Sequence, residues 1–133
     1  MISRIKKLEK EKIDYLNNLG WNLEPSLDDY DVYDAFGETP AGSKCWIEMK
    51  FRNDYWDSKM LEKKKYDSLM ELEGIKFYYV NDNKAEYYFN LSDIKMPPVV
   101  QRYCPSTTLW DKRKERKEVY LLEESLALKI ISH

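Results

Sequence analysis

The succession of hydrophobic patterns predicts an α/β domain in which helices flank a sheet, in the order helix, strand, strand, helix, strand, strand. Three observations predict it. Apolar residues recur at helical spacing in residues 3–19 and 59–72, apolar or aromatic runs of strand length fill residues 45–51, 75–80 and 85–91, and turn-forming residues separate them.

Residues 3–19 form an amphipathic helix, with Ser3 as N-cap and Gly20 as the stop. Ile5, Leu8, Leu16 and Leu19 supply its apolar face, with Ile13 beside them. Residues 30–36 have strand character but are unusually acidic. The turn Thr39-Pro40-Ala41-Gly42-Ser43 leads into a better strand at residues 45–51. Residues 59–72 return to helical spacing, with Leu61, Leu69 and Leu72 on one side and Gly74 ending the run. Two aromatic-rich strands, 75–80 and 85–91, are joined by the turn at residues 81–84. After Ser92 the pattern weakens around Pro97, Pro98 and Pro105, before a late apolar run at residues 119–122. The expectation is one domain, residues 1–133, with its core at 3–91 and residues 92–133 packed on it as an extension.

Composition narrows the class. Of 133 residues, 43% are hydrophobic and 35% charged, a balance that supports a packed core rather than disorder. There is no internal repeat or low-complexity linker. Cys45 and Cys104 stand far apart and the single histidine is His133, so a structural zinc site has no donor set. Cys45, in an apolar run, reads as a buried thiol. No apolar run approaches the length of a membrane span and none resembles a signal core, so the expectation is a cytoplasmic protein without a membrane partner.

The net charge of −2 conceals segregation. Basic residues cluster at Lys6, Lys7, Lys10 and Lys12, at Lys59, Lys63, Lys64 and Lys65, and at Lys112, Arg113, Lys114, Arg116 and Lys117. Acids gather at Asp28, Asp29, Asp31, Asp34 and Glu38. The distribution suits an acidic metal pocket between phosphate-contacting surfaces, and equally an ordinary solvated surface.

Glu48 and Lys50 project from one face of their strand because side chains alternate. A carboxylate can bind a hard divalent ion, and a lysine beside it can orient water or offset developing negative charge. Taken alone, Glu-x-Lys carries little weight, and a metal site needs a second carboxylate. Pro40 and Gly42 suit a three-residue hairpin loop in which Thr39 pairs with Ser43. Continued along the strands, that register sets Asp34 opposite Glu48. A slip to a two-residue loop would bring Asp31 to that face instead, so Asp31 stands as the alternative to Asp34. Two ionisable residues interrupt apolar stripes: Glu9 between Ile5 and Ile13, and Lys65 between Leu61 and Leu69. Such positions cost free energy unless paired, metal-bound or at the edge of the stripe.

With these residues in place, the chain resembles the PD-(D/E)XK nuclease superfamily, whose restriction-endonuclease-like core carries an Asp and then (Asp/Glu)-x-Lys on a hairpin of a central mixed β-sheet between helices. Ile47-Glu48-Met49-Lys50-Phe51-Arg52 is similar to the motif strand of Holliday-junction resolvases and small phage-encoded members. Tyr33 and Tyr30 stand where the motif's proline would precede the Asp. The resemblance implies Mg²⁺ or Mn²⁺ held by Asp34, Glu48 and Glu9, with Lys50 orienting the attacking water and Lys65 supporting the site or contacting phosphate. It implies that Arg52, Lys59, Lys63 and Lys64 contact the nucleic-acid backbone. Cleavage, of DNA in preference to RNA, would leave a 5′-phosphate and a 3′-hydroxyl. Symmetric resolution would require a homodimer, and a phage-encoded origin in a bacterial host would follow. The superfamily also contains inactive members, so a nuclease-like protein that binds nucleic acid or a protein without cleaving is the alternative.

Overall fold

The structure, a computed structural model, describes residues 3–28, 31–105 and 114–133. Its first element is helix α1 (Arg4–Asn18). The Ser3 hydroxyl accepts a hydrogen bond from the Lys6 N–H at 3.2 Å, satisfying one donor of the first turn. At the other end Gly20 adopts φ +105°, and the Leu16 carbonyl accepts from the Trp21 N–H. The helix buries Glu9, Ile13 and Leu16.

Among the described residues the strands form two sheets. The larger runs β1 (Asn22–Pro25), β2 (Ala35–Glu38), β3 (Lys44–Phe51), β5 (Ile75–Asn81), β6 (Ala85–Asn90) and β9 (Lys129–Ser132) in spatial order. β3 and β5 pair in parallel, whereas the other neighbours are antiparallel, so the central sheet is mixed as expected. The smaller sheet orders β4 (Ser58–Glu62), β8 (Lys114–Glu123) and β7 (Val100–Pro105). Helix α2 (Lys63–Met70) follows β4 directly.

The central sheet separates two cores. On one face Ile13 and Leu16 of α1 pack with Leu23, Ala35, Cys45, Ile47, Met49 and Tyr79. On the other, Tyr78, Val80, Tyr87 and Phe89 meet Leu61, Leu69, Tyr120 and Leu122 from β4, α2 and β8. Leu69 and Leu122 are fully buried, so truncating either to alanine costs about 2–5 kcal/mol. Cys45 is a free, fully buried thiol, and burial pushes its pKa up to about 11, which suppresses the reactive thiolate. Among the described residues no helix is long and apolar enough to cross a membrane.

The elements differ from expectation in four places. Strand β1 (Asn22–Pro25), paired with β2, stands where no strand is expected. The acidic segment is not a strand from residue 30. Residues 31–34 bend, β2 begins at Ala35, and Tyr30 lies outside the described residues. The run 59–72 divides into strand β4 and helix α2, because Lys59 and Leu61 alternate into the interior. A five-residue stretch followed by a helix carries both periodicities, and Leu61 satisfies either one. Finally, β7, β8 and β9 occupy the segment that showed only a late apolar run. The first half of β8 is almost wholly charged, so its alternation is invisible in hydropathy.

Candidate active site

The site begins with a turn. The Thr39 N–H donates to the Ser43 carbonyl at 2.8 Å, and the Gly42 N–H to the Thr39 carbonyl at 2.8 Å. Gly42 sits at φ +84°, where a side chain would be strained. This three-residue loop sets the β2–β3 register at Ala35 opposite Ile47 and Glu38 opposite Lys44, the register that directs Asp34 toward Glu48. One residue before the ladder, the Asp34 N–H donates to the Ile47 carbonyl at 2.7 Å. Its carboxylate turns back onto β3 and accepts the Met49 N–H at 2.7 Å. Asp31 is engaged elsewhere: it accepts the Ser26 hydroxyl at 3.1 Å and the Tyr33 hydroxyl.

Glu48 is 4% exposed on the face opposite α1, beside Tyr78 across the parallel ladder. Its carboxylate accepts a hydrogen bond from the Lys65 ammonium at 3.0 Å. Glu9 reaches the same region from α1, sharing a hydrogen bond with Asp34, while Lys6 stands 3.6 Å from it. The helix stripe is therefore interrupted by a carboxyl that is 7% exposed.

Electrostatically, burial dominates the group. Burial, and then the neighbouring Asp34, raise the Glu48 pKa to about 7 against the opposing pull of Lys65 and Lys50. Burial and Asp34 likewise raise Glu9 to about 7, with Lys6 opposing. Burial lowers the Lys50 pKa, and the nearby Lys65 and Arg52 charges lower it further. Lys65 moves the other way, because Glu48 and Asp34 outweigh the effect of burial and raise it.

The structure thus brings together Glu9, Asp34, Glu48, Lys50 and Lys65. Arg52 lies at the edge of this group, its guanidinium hydrogen-bonded to the Tyr78 hydroxyl and its N–H bonded to the Asn81 carbonyl at 2.8 Å. Lys63 pairs with Asp67 at 2.6 Å on the outside of α2, and Lys64 is exposed. Lys59 is elsewhere. It is 3% exposed, paired with Asp82 at 2.7 Å, bonded to the Trp56 carbonyl, and enclosed by the Tyr55 and Tyr87 rings at 4.5 and 4.0 Å. Its ammonium is already paired and enclosed, which sets it apart from the exposed lysines expected to contact the nucleic-acid backbone. Of the late basic run, Lys112 and Arg113 lie outside the described residues, and Lys117 pairs with Glu62 at 3.0 Å. Tyr78 and Glu62 were missed from the sequence. Both act on the charges of the site, but an apolar-looking aromatic run and one glutamate among several gave no local signal.

Among the described residues no group of three or more His, Cys, Asp or Glu side chains is arranged to hold a metal ion. The donor chemistry nevertheless fits a hard divalent cation. Asp34 stands between Glu9 and Glu48, all three donors are carboxylate oxygen, and burial first, then Asp34, holds the two glutamates toward their neutral form. Opening the Glu9–Asp34 hydrogen bond frees oxygen lone pairs for that purpose.

No protein-family model matches the chain, and no curated protein sequence does. Among solved structures, the fold is similar to that of Hjc, a Holliday junction resolvase from the archaeal hyperthermophile Archaeoglobus fulgidus. The match has a TM-score of 0.59 at 11% sequence identity, over 90% of this chain and 94% of that one. At that identity the match speaks to the fold, and the resolvase-like α/β architecture expected from the sequence is the one observed.

Proposed function

We propose that the chain is a metal-dependent nuclease that hydrolyses phosphodiester bonds in DNA. The observation that carries this reading is Asp34 set between the buried Glu9 and Glu48, with Lys65 bonded to Glu48 and Lys50 close by. The similar solved structure is that of a Holliday junction resolvase, which agrees with DNA as the substrate and with a structure-specific endonuclease. Cutting two strands symmetrically would take two such sites, hence a second copy of the chain. An intracellular location is consistent with this reading.

Glu9, Asp34 and Glu48 would hold Mg²⁺ or Mn²⁺, which supplies Lewis-acid polarisation of the scissile phosphate. Lys65, kept charged by Glu48 and Asp34, fixes the Glu48 carboxylate and favours its ionised form. Lys50 holds the attacking water, and its lowered pKa eases proton exchange with that water. Arg52 contacts a phosphate oxygen, while Lys64 and Lys63 meet more distant backbone.

Incubation of the purified protein with duplex, flap and four-way-junction DNA tests this directly. Cleavage is expected with Mg²⁺ or Mn²⁺ and none with EDTA. Lys50→Ala and Glu48→Gln are each expected to reduce the rate by at least about 100-fold, with DNA binding retained. Cleavage that persists in EDTA, or the absence of cleavage of every DNA form, rejects the reading. One observation favours a second reading, a nuclease-like protein that binds without cutting. Asp34 is already committed to the Met49 N–H and to Glu9, so no three donors stand ready for an ion. Isothermal titration with Mn²⁺ separates the two, since the second reading expects no saturable binding that Glu48→Gln removes.

A further inference from the structure

A cavity of about 430 Å³ opens where the end of β3 meets the smaller sheet, lined by Arg52, Trp56, Met60, Leu121, Arg102 and Tyr103 among others. The size lies within the roughly 300–1,000 Å³ range of small-ligand sites. Trp56 is 65% exposed and Tyr103 70% exposed, yet both line this one cleft. A single exposed aromatic residue is ordinary, but two on one concavity form a stacking surface. Met60, Val80 and Leu121 supply an apolar floor. Lys59 and Asp82 in the wall are paired with each other, so they add no uncompensated charge. Arg52 and Arg102 supply two guanidinium groups, while Asp54 and Ser58 supply groups that can accept from a base's exocyclic amine.

The cleft adjoins the carboxylate cluster. Arg52 lies one residue beyond the end of β3 and two after Lys50, its N–H continues the pairing to the Asn81 carbonyl, and its charge is felt at Lys50.

We propose that this cleft receives one unpaired nucleotide of DNA, its base against Trp56 and Tyr103 and its phosphate against Arg52 and Arg102. The inference rests on the DNA reading above and narrows its substrate to DNA carrying unpaired nucleotides near the cut. A paired base has both faces covered by its neighbours, so only a splayed base offers a ring to Trp56. Stacking on an aromatic side chain contributes about 1–3 kcal/mol per base, or roughly 5- to 150-fold in affinity.

Fluorescence anisotropy in EDTA, with the full chain and labelled oligonucleotides, compares a perfect duplex with the same duplex carrying a single-nucleotide bulge or a short flap. The bulged and flapped forms are expected to bind at least about 10-fold more tightly. Trp56→Ala should remove that preference while leaving duplex affinity unchanged, Trp56→Phe should retain most of it, and Tyr103→Ala should weaken it. Equal affinity for all forms, or an equal loss on every form with Trp56→Ala, overturns the inference. A protein that cleaves DNA without this preference overturns the inference alone. One that shows the preference without cutting leaves it standing and overturns the cleavage reading, and one that binds no DNA overturns both.

Discussion

Two lysine–carboxylate pairs from one stretch of chain behave in opposite ways. Lys59 meets Asp82 at 2.7 Å and Lys65 meets Glu48 at 3.0 Å, and in both pairs the carboxylate is almost fully buried. Although burial works against it, Asp82 is held below its ordinary pKa by Lys59 and by the N–H groups of Lys84 and Ala85. Among the described residues Glu48 has Lys65 as its one hydrogen-bond donor, so burial first, and then the facing Asp34, raises its pKa to about 7. The first pair is complete in itself and joins β4 to the β5–β6 turn. In the second, the lysine does not offset the burial of Glu48 beside Asp34, and a bound cation would do so.

Replacing each lysine by methionine sharpens the contrast most. Lys59→Met leaves Asp82 buried without its counter-charge, at a cost of about 3–5 kcal/mol. Thermal melting should fall by about 4 °C for each kcal/mol in a domain of this size. Lys65→Met is expected to lower melting far less, because its side chain is 40% exposed, but to reduce cleavage by about 10-fold or more. Equal melting losses for the two variants would dissolve the distinction.

The pH dependence separates the pairs next. Glu48 and Glu9 have folded pKa values near 7, above the ordinary 4.5. The stability they contribute is fully present below pH 4.5 and is lost as pH rises through 7. Asp82 has the opposite sign: its contribution is present above its ordinary 3.8 and is lost as pH falls through its lower folded value. In EDTA, melting is expected to rise by several degrees between pH 8 and pH 5. Glu9→Gln and Glu48→Gln should flatten that rise, and Mg²⁺ should stabilise most at pH 8, where the carboxyls are ionised. A flat profile in the unsubstituted protein contradicts the raised pKa values of Glu9 and Glu48.

The smallest effect concerns the exposed lysine between the two pairs. Lys64→Ala should leave melting and cleavage unchanged and lower the slope of log affinity against log salt by about 1. An unchanged slope would remove Lys64 from the DNA contacts.

Much of this site was legible in local sequence. The loop Pro40-Ala41-Gly42 dictated the hairpin register, because Gly42 can take the positive φ the turn needs. Strand alternation set Glu48 and Lys50 on one face and the interrupted stripe of α1 marked Glu9, whereas the stripe that marked Lys65 is not one helix, because Leu61 belongs to β4. These are short-range rules, and they held where the relevant partners lie within a few residues or one hairpin. Tertiary structure alone decided the rest. Lys59 looked like one more surface lysine until a strand and a distant turn enclosed it with Asp82, and β8 and β9 pair with β4 and β6, far away in the chain. The bend before Ala35, with Asp34 turned back onto Met49, likewise depends on β3 being there to accept it. Pairing partners, burial and charge balance are properties of the assembled fold, whereas turn conformation and side-chain alternation are written residue by residue.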